Sequence, residues 1–203
     1  MKLYDADYAP SPRRVRMFMA EKGLSGVETV KFDLPKGENL SAEFARKNPL
    51  QKVPVLELDN GTCISEAAAI YRYLEETHPD KPLLGTTAEE KALIEMWDRR
   101  LEFAFLYPVF QSFQHGSGIF KDRMTPVADW AVEARNIAAS FYPLLEEQLS
   151  HNTYVVGDNF TAADITALVT LEFAKVIKLR AGEEHPNILR WYELMKQRPS
   201  YRA

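Results

Sequence analysis

The amino-acid sequence predicts a small mixed α/β domain followed by a larger all-helical one, and three observations carry that reading. Strand-like and helix-like stretches alternate through residue 78. A stretch holding two prolines and a glycine, HPDKPLLGTT, breaks the pattern between His78 and Thr87. Everything after it has helical periodicity. At 203 residues the chain is long enough for two cores of unequal size. The expected division is residues 1–78, a linker at 79–87, and residues 88–203.

The elements follow in order. Lys2 to Asp5 reads as a first strand. In the next stretch, YAPSPRRVRMFMAEKG, Ser11 is a favoured N-cap and Pro12 suits a first helical position. Val15, Phe18 and Met19 recur at helical spacing, and Gly23 marks a stop. Arg13, Arg14 and Arg16 crowd the start of this helix, where the positive dipole end normally attracts acids. Functional sites are where such local rules are broken. Glu28 to Asp33 alternates as a second strand, Lys36 to Ser41 reads as loop, and Ala42 to Lys47 as a short helix. In VPVLELDNGTCIS, Asn60-Gly61 joins two β-rich runs, a strong hairpin signal. Ser65 then reads as the cap of a helix from Glu66 to about Thr77, with Ala69, Ile70, Tyr73 and Leu74 on one face. The resulting order, β-α-β-α-β-β-α, is thioredoxin-like.

Past the linker, Ala88 to about Phe113 reads as one long helix with Pro108 as a point of kinking. Val127 to Leu149, Ala162 to about Leu179, and Ile188 to Gln197 read as three more. Thr161 and Asp164 form a capping-box variant ahead of ITALVTLEFAKVIKL, which is apolar on nearly all faces. Both are expected to be structural.

Composition narrows the function classes. Hydrophobic residues at 46% and charged residues at 27% fit an ordinary globular protein. A net charge of −4 gives no general attraction to nucleic acid or to an anionic membrane. One cysteine, Cys63, excludes an intrachain disulfide and any CxxC redox or zinc motif. No His-rich cluster, paired carboxylates or glycine-rich phosphate loop is present, so no metal is expected. No apolar run approaches the ~18 residues of a membrane span, and no signal-peptide core opens the sequence. These features fit a soluble protein of a reducing compartment, expected in the cytoplasm.

Three stretches carry chemistry. In Lys52-Val53-Pro54-Val55, a cis Val53–Pro54 bond would turn the Val53 N–H and C=O outward to pair with an extended, peptide-like ligand. A trans proline would simply open a strand, and general frequencies favour trans. At Ser65-Glu66-Ala67 a helix starts directly after a strand. Its main-chain N–H groups can hold an anion and Glu66 an ammonium group, or Ser65 and Glu66 serve only as cap and dipole complement. Phe103, Phe105, Tyr107, Phe110, Phe113 and Phe120, next to Gln114 and His115, exceed what one core needs and can line an apolar pocket. Arg99 and Arg100, beside Glu95 and Glu102, read as a charge network.

Asn48 to Leu56 (NPLQKVPVL), Asp59-Asn60-Gly61 and Ser65 to Ile70 (SEAAAI) resemble the amino-terminal domain of cytosolic glutathione transferases. Gly157 to Ile165 (GDNFTAADI) resembles the capping segment of that family's helical domain. The pieces lie in order and at matching separations along nearly the whole chain. The resemblance implies a thioredoxin-like domain followed by a helical one, usually as a homodimer. It implies glutathione as co-substrate, a cleft that takes a small hydrophobic electrophile, and a role in detoxification. Lys52 and Asn39 fall where the family holds the glycine carboxylate. Val53 falls where the main chain meets the cysteinyl moiety before a cis proline, here Pro54. Glu66 and the N–H of Ala67 fall at the γ-glutamyl end.

Two departures stand out. The usual Glu-Ser pair is Glu66-Ala67, which removes a hydroxyl and keeps the N–H. Ala9 stands where the family places a catalytic Tyr, Ser or Cys; Tyr8 and Ser11 are the nearest phenol and hydroxyl. In this the chain looks like the atypical fungal and bacterial branch, which implies thiol activation through the first helix's N-terminus, aided by water and the helical domain. Ser11, Gln114 and His115 are then the candidate activating residues, with Arg13 or Arg14 adding field. The alternative is a non-catalytic glutathione- or ligand-binding, stress-associated protein of the same fold. Cys63 sits in the hairpin strand, which argues against a thiol reductase.

Overall fold

Residues 1–203 are described by a computed structural model. They group into two units, Met1–Pro82 with Pro199–Ala203, and Leu83–Arg198.

In the first unit β1 (Lys2–Asp5) is an inner strand. It pairs in parallel with β2 (Glu28–Lys31) and antiparallel with β3 (Val55–Glu57), which pairs antiparallel with β4 (Cys63–Ser65). Strand alternation splits the buried side chains between the two faces. Tyr4 and Val55 share one face with Phe44 of α2 (Ala42–Lys47), and Tyr4 and Phe44 hold ring centroids 5.4 Å apart. Leu3 and Leu56 alternate to the other face. There α1 (Pro10–Lys22) and α3 (Ala67–Thr77) supply Phe18 and Tyr71, stacked at 4.4 Å. The hairpin forms around Asn60-Gly61, where Gly61 has φ 84°, the left-handed region that glycine occupies without penalty.

Local chemistry departs from the expected caps. The N-cap of α1 is Ala9 and the helix starts at Pro10, so Ser11 lies inside its first turn rather than ahead of it. The N-cap of α3 is Glu66, while Ser65 ends β4. The buried face of α3 is Ala67, Ile70, Tyr71 and Leu74; Ala69 is exposed and Tyr73 half-buried. A 3₁₀ turn, Glu38–Leu40, occupies the expected loop.

The second unit is helical: α4 (Ala88–Leu101), α5 (Tyr107–Ser117), α6 (Ala128–Ala139), α7 (Tyr142–Ser150), α8 (Ala162–Ala174) and α9 (Pro186–Lys196). α8 is buried continuously from Ala162 to Leu171 and forms the centre of this core. Between α4 and α5 the chain stays helical but widens to a π turn at Glu102–Leu106, closed by the Tyr107 N–H on the Glu102 carbonyl. Pro108 has no N–H for the carbonyl of Ala104, and its ring would strike that carbonyl in a regular helix; the wider turn accommodates both. The stretch expected as one helix from 127 to 149 is two, α6 and α7, parted at Ser140-Phe141 with Pro143 in the first turn of α7. α8 gives way at Ala174 to a 3₁₀ turn ending at Lys178, whose φ is 56°.

Asp164 is fully buried at the start of α8 and accepts from the main-chain N–H groups of Thr161 and Val155 and from the indole of Trp191, each at 2.9 Å. Burial pushes its carboxyl up to about 6, against the pull of those donors. Pro199–Ala203 groups with the first unit, so the helical unit ends at Arg198 instead of running to 203. The cause is contact with α1: the Arg13 guanidinium donates to the Tyr201 carbonyl at 2.9 Å, and Ser200 bonds Glu21. No helix is long and apolar enough to cross a membrane.

Candidate functional site

One edge of the first unit's sheet collects the features that the sequence marked. Because β3 runs antiparallel to both neighbours, Tyr4 pairs with Val55 and Val55 with Ser65. The ends of β1 and β4 and the approach to β3 therefore meet at that edge. α1 follows β1 and α3 follows β4, so two helix N-termini open there beside Val53. Two positive helix ends beside an extended, unpaired segment suit an anionic, peptide-like ligand.

Val53 reaches that edge through a cis bond to Pro54. It lies outside the β ladder, and its main-chain N–H and C=O take no hydrogen bond within the chain. Both are therefore open to an extended ligand. The preceding loop is held from behind. Asn48 is buried; its amide donates to the Lys52 carbonyl at 2.8 Å and its oxygen accepts from Leu50 at 3.1 Å. Asn39 donates to the Gln51 carbonyl at 2.6 Å, and Gln51 has φ 52°. Asn39 thus fixes the loop that carries Lys52 and keeps a buried, unpartnered Oδ1. Lys52 itself is exposed and in no ion pair.

The start of α3 is left open. Glu66 has φ 69° and ψ 125°, a conformation costly for any residue with a Cβ, and its carboxylate is exposed and unpaired. Ile70 is the first residue whose N–H bonds back into the helix, to Glu66 at 3.0 Å. The N–H groups of Ala67, Ala68 and Ala69 are consequently orphan donors, and no acid in the first turn competes for them.

The start of α1 is nearly closed. Ala9 donates to Ala6 at 3.0 Å, Arg13 donates to Ala9 at 3.3 Å, and Pro10 and Pro12 have no N–H to give. Ser11 therefore holds the one main-chain donor left in that turn, beside its own hydroxyl. The three arginines brace the unit. Arg16 reaches the buried carboxylate of Asp5 at 2.5 Å, Arg13 reaches Tyr201, and Arg14 is buried with its guanidinium 5.7 Å from the Tyr71 ring centroid. Tyr8, just before the cap, is 98% exposed.

In the second unit the π turn precedes a polar stripe on α5. Trp130 donates to Gln111 at 3.1 Å, and Gln111 donates to Gln114 at 3.5 Å. His115 accepts the Val127 N–H on Nδ1 at 3.1 Å. A neutral His115 so engaged carries its proton on Nε2 and offers a donor there. The aromatics divide by role. Phe105 is buried against Phe141 with centroids 5.3 Å apart, and belongs to the core. Phe110, Phe113 and Phe173 form a half-buried cluster at 5.1 and 5.4 Å, joined by Phe120. Phe103 and Tyr107 are exposed. No group of three His, Cys, Asp or Glu side chains is placed to hold a metal ion.

The family models for the glutathione S-transferase N-terminal and C-terminal domains match residues 3–82 and 100–199. The chain belongs to the glutathione S-transferase family. It is 39% identical over 203 residues to glutathione S-transferase 2 of Saccharomyces cerevisiae, covering 98% of this chain and 87% of the yeast protein. The crystal structure of Gtt2 from the same yeast superposes with a TM-score of 0.94 at 38% identity, covering 100% of this chain and 99% of that one. A Gtt2-class glutathione S-transferase of Vibrio parahaemolyticus gives 0.87 at 39% identity, covering 100% and 96%. The resemblance to a fungal and bacterial branch of the glutathione S-transferases thus holds along the full chain. What the motif reading of this family member missed is the solitary Ser11 N–H. The alternation of prolines at 10 and 12 was the available signal.

Proposed function

We propose that this family member binds glutathione along the described sheet edge, ionises its thiol at the start of α1, and joins the thiolate to a small hydrophobic electrophile. The observation that carries the reading is the convergence of an open α3 start, the free main chain of Val53 and the single donor of Ser11 on one edge. Lys52 takes the glycine carboxylate, with Asn39 positioning its loop. The Val53 main chain, ahead of the cis bond to Pro54, pairs with the cysteinyl unit. Glu66 takes the γ-glutamyl ammonium and the N–H of Ala67 its carboxylate.

The energetics of ionisation support a mechanism without a tyrosine. A thiol near pKa 8.5 needs roughly 2 kcal/mol to reach about 7, at 1.36 kcal/mol per unit. A helix dipole supplies about 0.3–1 kcal/mol, and one hydrogen bond to a charged group about 1.5–3. Dipole plus one donor therefore suffices, and the Ser11 N–H is that donor. The thiol proton passes to water. The thiolate then forms the new C–S bond as the leaving group departs or the electron pair moves into the activated acceptor. Gln114 and the Nε2–H of His115 are the second unit's candidates for assisting, and the half-buried phenylalanines are its apolar surface for the electrophile. Family membership supports a cytoplasmic, detoxifying homodimer.

The test is a calorimetric titration with glutathione, the thiolate absorbance of the complex, and conjugation of a chloronitroaromatic electrophile. All three signals are expected, and loss of both binding and conjugation sinks the reading. Binding without thiolate absorbance or conjugation would favour the non-catalytic alternative, which Ala9 and Ala67 support by lacking hydroxyls. Ser11→Pro removes the donor at a position where a first turn tolerates proline. It is expected to cost about 10²-fold in kcat/KM, the scale of losing one preorganised donor. Ser11→Ala keeps the N–H and should cost far less. His115→Ala and Gln114→Ala test the second unit's part by the same assay.

A further inference from the structure

Residues 199–202 leave the helical unit and lie on α1, the helix whose start holds the Ser11 donor. They grip it at two heights. Arg13, two residues beyond Ser11, donates to the Tyr201 carbonyl at 2.9 Å and places its guanidinium 5.5 Å from the Tyr201 ring centroid. Glu21, just over two turns further along, bonds the hydroxyl of Ser200, which is 2% exposed. The far end of α1 is anchored separately: the buried Lys22 ammonium bonds the carbonyls of His78 and Asp80 at 2.9 and 3.1 Å and pairs with Glu75 at 2.5 Å. Towards the N-terminus the polar ties include Arg16 to Asp5 and Arg13 to the returning segment. A cation in the first turns of a helix is unfavourable by itself. Here Arg13 is turned onto a carbonyl and a ring that belong to a segment distant in sequence.

We propose that Pro199–Arg202 is a positioning strap for α1, and that Arg13 and Tyr201 are positioning residues that aim the Ser11 N–H at the glutathione sulfur. The strap touches no reacting atom. It acts by fixing the tilt of the helix start, to which a single charge-assisted hydrogen bond is sensitive. This inference rests on the thiolate role proposed above for Ser11.

The test is the pH midpoint of thiolate absorbance in the glutathione complex, with the pH profile of kcat/KM, for wild type, Arg13→Leu and Tyr201→Ala. Both variants are expected to raise the midpoint by about half to one unit, about a twofold to fivefold loss of rate at neutral pH that vanishes in alkali. KM for the electrophile stays unchanged. Arg13→Lys, which keeps a donor, restores part of the rate. If wild type forms the thiolate and both variants show its midpoint unchanged, whatever their thermal stability, the strap role is overturned and the proposed function stands. If wild type forms no thiolate, both fall together. Should Arg13→Leu fail to fold, a chain ending at Arg198, which removes the Tyr201 carbonyl, its ring and Ser200 and leaves α1 itself intact, decides the matter.

Discussion

Three helix starts of the helical unit and two of the other unit solve the same problem in opposite ways. Every helix begins with up to four N–H groups that its own turns cannot satisfy. At three starts of the helical unit they are closed by side chains. Thr87 and Glu90 form a capping box on α4, and Asp164 accepts from Thr161 and Val155 at α8. At α9 the carboxylate of Glu146 accepts from the main chain of Asn187 and Ile188, each at 2.9 Å. In the other unit neither α1 nor α3 has a side-chain cap. The difference separates donors that hold a fold together from donors left open at the proposed site. The two open starts also differ from each other. α3 keeps three adjacent N–H groups, enough to meet a carboxylate; α1 keeps one, suited to a single sulfur.

The largest expected effect comes from opening a closed start. Asp164→Ala strands two buried main-chain donors and an indole N–H, and should cost about 4 kcal/mol of stability by denaturant melting, at roughly 1–3 kcal/mol per stranded group. Glutathione affinity of the folded fraction should not change, because the capped start belongs to the fold. Asp164 also gives a pH signature with a definite sign. Its carboxyl, raised to about 6 by burial, holds a proton more tightly in the folded chain than in the unfolded one. Its contribution is therefore greatest below the ordinary carboxylate value of about 4 and is lost as the pH rises through about 6. Relative to Asp164→Asn, which does not titrate, wild-type stability should fall over that interval and run parallel above it. A difference that grows with pH would contradict the assignment.

The next effect comes from altering an open start. Glu66 sits at φ 69° without a glycine's freedom, a strain retained where its carboxylate is exposed and unpaired. Glu66→Gly should leave stability unchanged or raise it by up to about 1 kcal/mol as the strain is released. The same change should weaken glutathione about tenfold or more, the scale of one charge-assisted hydrogen bond. Calorimetry and thermal melting on one sample set test the two halves together. A loss of both stability and affinity would make Glu66 a structural cap after all.

The sequence carried the order of the elements because that order depends on local patterns. The Asn60-Gly61 hairpin, the alternation in β1 and the Thr161–Asp164 start are each set within a few residues. The motifs behind the proposed glutathione site were readable for the same reason: Lys52, Val53, Pro54 and Glu66 lie in two short runs. What escaped was set by distant partners or by competing local rules. Ser11 has the better capping side chain, yet α1 starts at Pro10 and makes Ala9 the cap. Pro108 announced an irregularity but not whether the helix would kink or widen to a π turn. Pro199 marks the end of a helix but not where the chain goes next, and only Arg13 and Glu21, far back in the chain, give Pro199–Ala203 a place.

The smallest effect separates Lys52 from the two helix starts. Its ammonium is exposed, in no ion pair, and mounted on a loop that Asn39 and Asn48 hold rigid. Solvent screens such a charge, so Lys52→Met should raise the glutathione Kd only about twofold to fivefold. That loss should shrink further in strong salt, where the Debye length falls to about 3 Å and the wild-type ammonium is screened as well. kcat should stay at the wild-type value, because the glycine end lies away from the sulfur. Asn39→Ala should copy this pattern if it works by holding the Lys52 loop. An effect of Lys52→Met on kcat, or one indifferent to salt, would place Lys52 closer to the chemistry than an exposed anchor for a carboxylate.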